Sequence, residues 1–235
     1  MALNQISLNA RAVASYMTVG ESAQRTTLRQ YAKPKEQQKA AIVMYDPIRK
    51  NLREYFAGGR DEKTIARVRE LIDKHPVENK FDESYRKSNN RALINLEKFD
   101  LRGTFTDVDR YASSTIAGGL HIKSSVDFIA TYAPTSPRGK SRRVAVIVNP
   151  SGVRRGNPAM RKRFARVECE LALRMIKADN LNVDEIWYID LPKESITERY
   201  GRTSSLLWAN IDAACERIVE DFKRYRLQSE RGETA

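Results

Sequence analysis

The sequence predicts an α/β fold, a small mixed sheet flanked by helices and preceded by a helical N-terminal region. Three observations predict it. The first hundred residues carry Leu, Ile, Val, Tyr and Ala at helical spacing. Residues 142–149 (RRVAVIVN) form a short apolar run closed by Pro150-Ser151-Gly152, the pattern of a strand buried on both faces. From there helix-like and strand-like segments alternate to the end of the chain.

Taken in order, helices are expected near residues 7–18, 21–32, 35–45, 48–57, 62–74 and 84–99, punctuated by Pro34, Pro47, Gly58-Gly59 and Pro76. Asp46-Pro47 and Asp61 read as helix starts. The texture changes after Gly103. Residues 115–132 are rich in β-branched and aromatic side chains, with Gly118-Gly119 interrupting them early. The strand at 142–149 is followed by a helix over about 158–178, a strand over 183–191 ended by Pro192, and a last helix over about 204–227. The expected division is a helical region over residues 1–80 and an α/β domain over residues 81–235.

The chain has 235 residues, a net charge of +12 and a pI near 9.8. A pI above 9 is the usual footprint of a nucleic-acid partner, although an anionic membrane surface or an acidic protein would also satisfy it. No apolar run of membrane-spanning length occurs, the N-terminus lacks the apolar core of a secretory signal, and no membrane partner is expected. Cys169 and Cys215 lie 46 residues apart in helical segments, without a second Cys or His at metal-ligand spacing. As buried thiols they fit a reducing compartment, and the expected location is cytoplasmic.

The charge is concentrated. Between Ser136 and Arg166 stand Arg138, Lys140, Arg142, Arg143, Arg154, Arg155, Arg161, Lys162, Arg163 and Arg166, eight Arg and two Lys with no acid among them. Cations at the start of a helix oppose its dipole, so folding gains nothing from Arg161, Lys162 and Arg163 at that place. A partner explains them better, and arginine favours bidentate contact with phosphate. Ser151 and the amides near Gly152 would add contacts to the backbone. A solvated basic loop is the plain alternative.

The order helix–strand–strand–strand–helix–strand, with an Asp on the second strand, resembles the PD-(D/E)XK nuclease-like superfamily over roughly residues 84–192. That resemblance implies a restriction-endonuclease-like core, in which an acid on the second strand and a D/E-x-K on the third bind a divalent metal. In Ser125-Val126-Asp127-Phe128, Asp127 stands in the place of the metal-binding aspartate. On the third strand, Asn149-Pro150-Ser151 stands where the acid and lysine belong. Some members move the acid to the next helix, where Glu168 and Glu170 (RVECELAL) stand here, and Glu97 lies on the preceding helix. Asp127, Glu168 and Glu170 are therefore the candidate catalytic residues, and Asp127 with Glu168 the candidate Mg²⁺ ligands. Pairing of the two glutamates with Arg163, Arg166 or Arg174 is the structural alternative, and for Asp127 a strand-end or turn role.

VAVIVNPSGVRRG also resembles the opening of diacylglycerol-kinase-type lipid kinases, but Asn149-Pro150-Ser151-Gly152 is one residue short and no Gly-Gly-Asp-Gly loop follows. His75 before Pro76 and His121, expected on an edge strand, have no nucleophile beside them in sequence. The N-terminal helices, with ten Lys+Arg against four acids in residues 1–60, offer a weaker second basic surface.

The function expected is nucleic-acid binding, DNA favoured over RNA, by a nuclease-like core that grips the phosphate backbone without cutting it and needs no cofactor. The alternatives are an active Mg²⁺-dependent endonuclease with a migrated carboxylate, and a basic adaptor that binds an acidic protein or forms a homo-oligomer.

Overall fold

The structure is a computed structural model, and it describes residues 6–32, 45–136, 138–150 and 158–230. Residues 35–44 of the helix expected at 35–45 lie outside the described residues, as do Arg154, Arg155 and the Ser151-Gly152 half of the kinase-like motif.

A short strand, β1 (Ser7–Asn9), opens the chain. Asn9 then caps α1 (Ala10–Thr18) by accepting a hydrogen bond from the Ala12 amide at 2.7 Å, and α2 (Glu21–Ala32) follows. The two sequence signals at Asp46-Pro47 and Asp61 start α3 (Asp46–Ala57) and α4 (Glu62–Asp73), with Pro47 in the first turn and Asp61 accepting from the Lys63 amide. Asn79 caps α5 (Lys80–Lys98). Then come β2 (Gly103–Asp109), β3 (Ser114–Ala117), β4 (Leu120–Lys123), β5 (Phe128–Pro134) and β6 (Arg142–Asn149). The chain ends with α6 (Pro158–Ala178), β7 (Glu185–Asp190), a 3₁₀ turn, β8 (Ser195–Tyr200) and α7 (Ser205–Glu230).

Residues 115–132 divide into a hairpin, β3–β4, and a separate strand, β5. Gly118 and Gly119, both at positive φ, turn the chain back on itself. β2 and β8 carry no continuous apolar run and were not expected as strands. β2 lies at one edge of a five-stranded mixed sheet of order β2-β5-β6-β7-β8, and β8 at the other. In that sheet β6 and β7 are the parallel pair and every other neighbour is antiparallel. The second sheet, β1-β4-β3, places His121 on its central strand, not at an edge, where Nδ1 lies 3.1 Å from Ser7 Oγ.

β6 is covered on both faces, as its unbroken apolar run requires. Val144, Val146 and Val148 pack into a cluster with α3, α4 and α5, which includes Phe56, Phe105, Phe128 and Trp187. Ala145 and Ile147 face the opposite cluster, built with α1, α6, α7 and the three-stranded sheet. Residues 6–32 thus join one face and residues 45–80 the other. The fold is α/β, two mixed sheets flanked by helices. No helix among the described residues is long and apolar enough to cross a membrane. Both cysteines are buried free thiols, and burial pushes Cys215 up to about 12.

Candidate functional site at the carboxyl end of the parallel strands

In an open α/β sheet, ligands tend to bind in the crevice outside the carboxyl ends of parallel strands. Here β6 and β7 end side by side, with Asn149 opposite Asp190. Both side chains are buried. Strand alternation puts them on the α6 face, together with Ile147 and Tyr188.

Asp127 sits immediately before β5, where its amide donates to Val146 O at 2.9 Å and its Oδ2 accepts from the Val148 amide at 2.7 Å. The side chain therefore closes the end of β6. It keeps a narrow opening to solvent yet is densely surrounded. Burial raises its carboxyl above the ordinary range, against the opposing pull of Arg49, the Val148 amide and Arg11.

Glu168 enters from α6, which over residues 164–176 is buried except at Arg166 and Arg174. Its Oε1 accepts from Ser125 Oγ at 2.9 Å and from Arg11 Nε at 3.3 Å. In that ion pair the glutamate side chain is 0% exposed and the arginine 24%. Burial works most strongly against the Arg11 charge, but Glu168, Tyr188 and Asp127 outweigh it and hold its pKa above the usual arginine value.

Arg11 also donates Nη2 to Val148 O at 3.2 Å, and Arg49 on α3 donates its own Nη2 to the same oxygen at 3.3 Å. Two helices from opposite faces of the sheet thus deliver guanidinium groups to one backbone carbonyl. Arg49 is driven below the usual arginine value, first by burial and then by Arg11. Burial raises Asp190, against the opposing charges of Lys193, Arg161 and Arg11. Glu168 Oε2, Tyr188 Oη and Asp190 Oδ1 are buried without a hydrogen-bond partner among the described residues.

The structure brings Asp127 and Glu168 together around Arg11, as candidate partners on one site. Glu170 does not join them. Two residues along a helix are about 200° apart, so Glu170 points toward β8 and α7. There it accepts from Arg174 Nε at 2.6 Å, Tyr200 Oη at 2.5 Å and the Ser204 amide at 2.9 Å. Its acceptor capacity serves the fold, which corrects its place among the catalytic candidates. Glu97 pairs with Arg69 on the outer surface of α4 and α5.

Among the described residues the basic stretch falls into two groups. Arg138, Lys140, Arg142 and Arg143 lie at the amino end of β6 or before it, and α6 begins beyond its carboxyl end. An eight-residue strand, about 23 Å long at roughly 3.3 Å per residue, lies between the two groups. Arg142 is paired with Glu185, and Arg143 with Asp109 at 2.6 Å. Arg138 and Lys140 are exposed. At the carboxyl end, Lys162, Arg163 and Arg166 are exposed and Arg161 half-buried, with Arg166 lying over the Tyr200 ring at 5.8 Å. Among the described residues of the stretch, only this second group shares an end of the sheet with Asp127 and Glu168.

Sequence reasoning missed Arg11, Arg49, Ser125, Tyr188 and Asp190. Arg11 carried a signal, a lone cation flanked by Ala10, Ala12, Val13 and Ala14, all buried. Arg49 carried none, since Lys50 and Arg53 stand beside it on the same polar helix.

Divalent magnesium is held mainly by carboxylate oxygens. Among the described residues no group of three or more His, Cys, Asp or Glu side chains is placed to hold a metal ion. The two carboxylates in the site instead face guanidinium groups, and Asn149 brings no charge, so this donor set does not fit Mg²⁺. No protein-family model matches the chain, and no curated protein matches its sequence.

Proposed function

We propose that this chain is a nucleic-acid-binding protein whose nuclease-like core grips a phosphate backbone without cutting it. The order α5–β2–β5–β6–α6–β7, with two antiparallel pairings followed by a parallel one, supports the core that the resemblance implies. The β3–β4 hairpin is an insertion between its first and second strands. The observation that carries the reading is the Arg11–Glu168 pair. Where a nuclease of this kind would place a divalent cation between an aspartate and a glutamate, this chain supplies a guanidinium from its own first helix. Around that neutralised centre, Arg161, Lys162, Arg163 and Arg166 present positive charge on the exposed start of α6, suited to a backbone and indifferent to base sequence.

Gel-shift titrations of duplex and single-stranded DNA and RNA at low salt test the binding. The wild type is expected to bind, DNA more tightly than RNA, and a variant with Arg161, Lys162, Arg163 and Arg166 changed to Ala to lose most of the affinity. Absence of binding to any of these substrates removes the reading. Incubation with plasmid and Mg²⁺ or Mn²⁺ is expected to leave the plasmid intact. Cleavage that disappears in Asp127→Ala would instead establish an endonuclease.

A further inference from the structure

We propose that Arg11 and Arg49 form a cradle for one phosphate group at the carboxyl end of β6. The inference rests on the nucleic-acid reading for the source of that phosphate, and on geometry alone for the cradle. Both guanidiniums donate through Nη2 to Val148 O, so these nitrogens lie within two hydrogen-bond lengths of each other. Like charges at that distance repel, and the repulsion is strengthened by partial burial.

The acids nearby offset it for Arg11, which Glu168 and Asp127 hold charged, but not for Arg49, whose cation burial and Arg11 still disfavour. Glu168 Oε1 is engaged by Arg11 and Ser125, and Asp127 Oδ2 by the Val148 amide. Among the described residues the Arg49 side chain makes a single hydrogen bond, to a neutral carbonyl, and no ion pair. A guanidinium carries five N–H donors in a planar fork, so most of those of Arg49 remain for a ligand. Burial and the Arg11 charge both disfavour its cation, a cost that folding alone does not repay. A phosphate group repays it. Its oxygens accept from two forks at once, and its charge screens the two cations from each other. Lys193 and Arg161, which bear on neighbouring Asp190, extend positive charge along the same end of the sheet.

The experiment measures binding of inorganic phosphate by calorimetry and by thermal shift, against sulfate and chloride at equal ionic strength, in wild type and Arg49→Gln. Phosphate is expected to bind and raise the Tm of the wild type, and the substitution to weaken binding about tenfold, the worth of one charge-assisted hydrogen bond. Without phosphate the Gln variant is expected to be no less stable than the wild type, which a purely structural Arg49 would not allow. No phosphate response in the wild type, or an equal response in the variant, overturns the cradle. Arg49→Lys serves should the Gln variant not fold. It keeps the charge but not the fork, and wild-type affinity in it would equally overturn the proposal.

Oligonucleotides with 5′-phosphate or 5′-hydroxyl ends separate the two sources. A preference for the phosphorylated strand, abolished by Arg49→Gln, assigns the cradle to a terminal phosphate. Equal binding of both strands, weakened alike by the substitution, assigns it to the backbone. Equal binding untouched by the substitution overturns the cradle and leaves the nucleic-acid reading standing. A phosphate response without any oligonucleotide binding does the reverse.

Discussion

Asp127 illustrates how one side chain can serve both a strand end and a binding site. Its Oδ2 satisfies the Val148 amide near the carboxyl end of β6, and its carboxyl lies among Arg49, Arg11 and Glu168. Burial nonetheless dominates, so its folded pKa lies above its unfolded value. The sign follows from linkage. The folded state holds the proton more tightly, so this group favours folding at acid pH. That contribution is lost as the pH rises from the unfolded carboxylate range through the raised folded value. Asp127→Asn keeps the acceptor oxygen and removes the charge. The variant is expected to match the wild type in urea midpoint at the acid end of that window, and to equal or exceed it at neutral pH. A variant less stable than the wild type at neutral pH only would show that the arginines outweigh burial.

At the scale of elements, the hairpin β3–β4 is held against α7 by its turn. Gly118 adopts φ of +50°, and a Cβ there would meet Asp212 O and the Glu216 amide nitrogen at 2.5 Å, both backbone atoms of α7. The Gly118 amide donates to Asp212 Oδ1 at 2.6 Å. Gly119, at φ of +75°, has open space around it. Gly118→Ala is therefore expected to cost about 3 kcal/mol and Gly119→Ala about 1 kcal/mol, from backbone strain alone, read as the difference in urea midpoints. Equal costs would show that the hairpin moves freely on α7. The pair of glycines was visible in the sequence, but its helix partner 94 residues away was not. The same division holds elsewhere. The helix starts at Asp46-Pro47 and Asp61, the run of β6 and the bounds of α6 are local signals, and they place their elements correctly. β2 and β8 are edge strands whose residues are held by pairing with β5 and β7, which no local pattern reports. For the site, Asp127 and Glu168 were named through the nuclease-like resemblance, as the acid of its second strand and a carboxylate on the following helix. Arg49 was not, because its partner is the carbonyl of Val148, 99 residues on.

For the whole molecule, net charge and its placement make different statements. The value of +12 forecasts attraction to any polyanion, but the fold decides which charges act together. Arg142 and Arg143 spend theirs on Glu185 and Asp109, stitching β6 to β7 and to β2 at the end of the sheet away from Asp127. Lys162, Arg163 and Arg166 remain exposed at the other end. Salt dependence separates the two groups, because each duplex phosphate neutralised contributes about 0.9 to the slope of log affinity against log salt. Changing Lys162, Arg163 and Arg166 to Ala is expected to reduce that slope by roughly 2–3. Changing Arg138 and Lys140 to Ala, before the amino end of β6, is expected to leave it unchanged. A slope that falls equally in both variants would mean that the ligand wraps both ends of the sheet. The basic stretch would then act as one continuous track despite the strand that divides it.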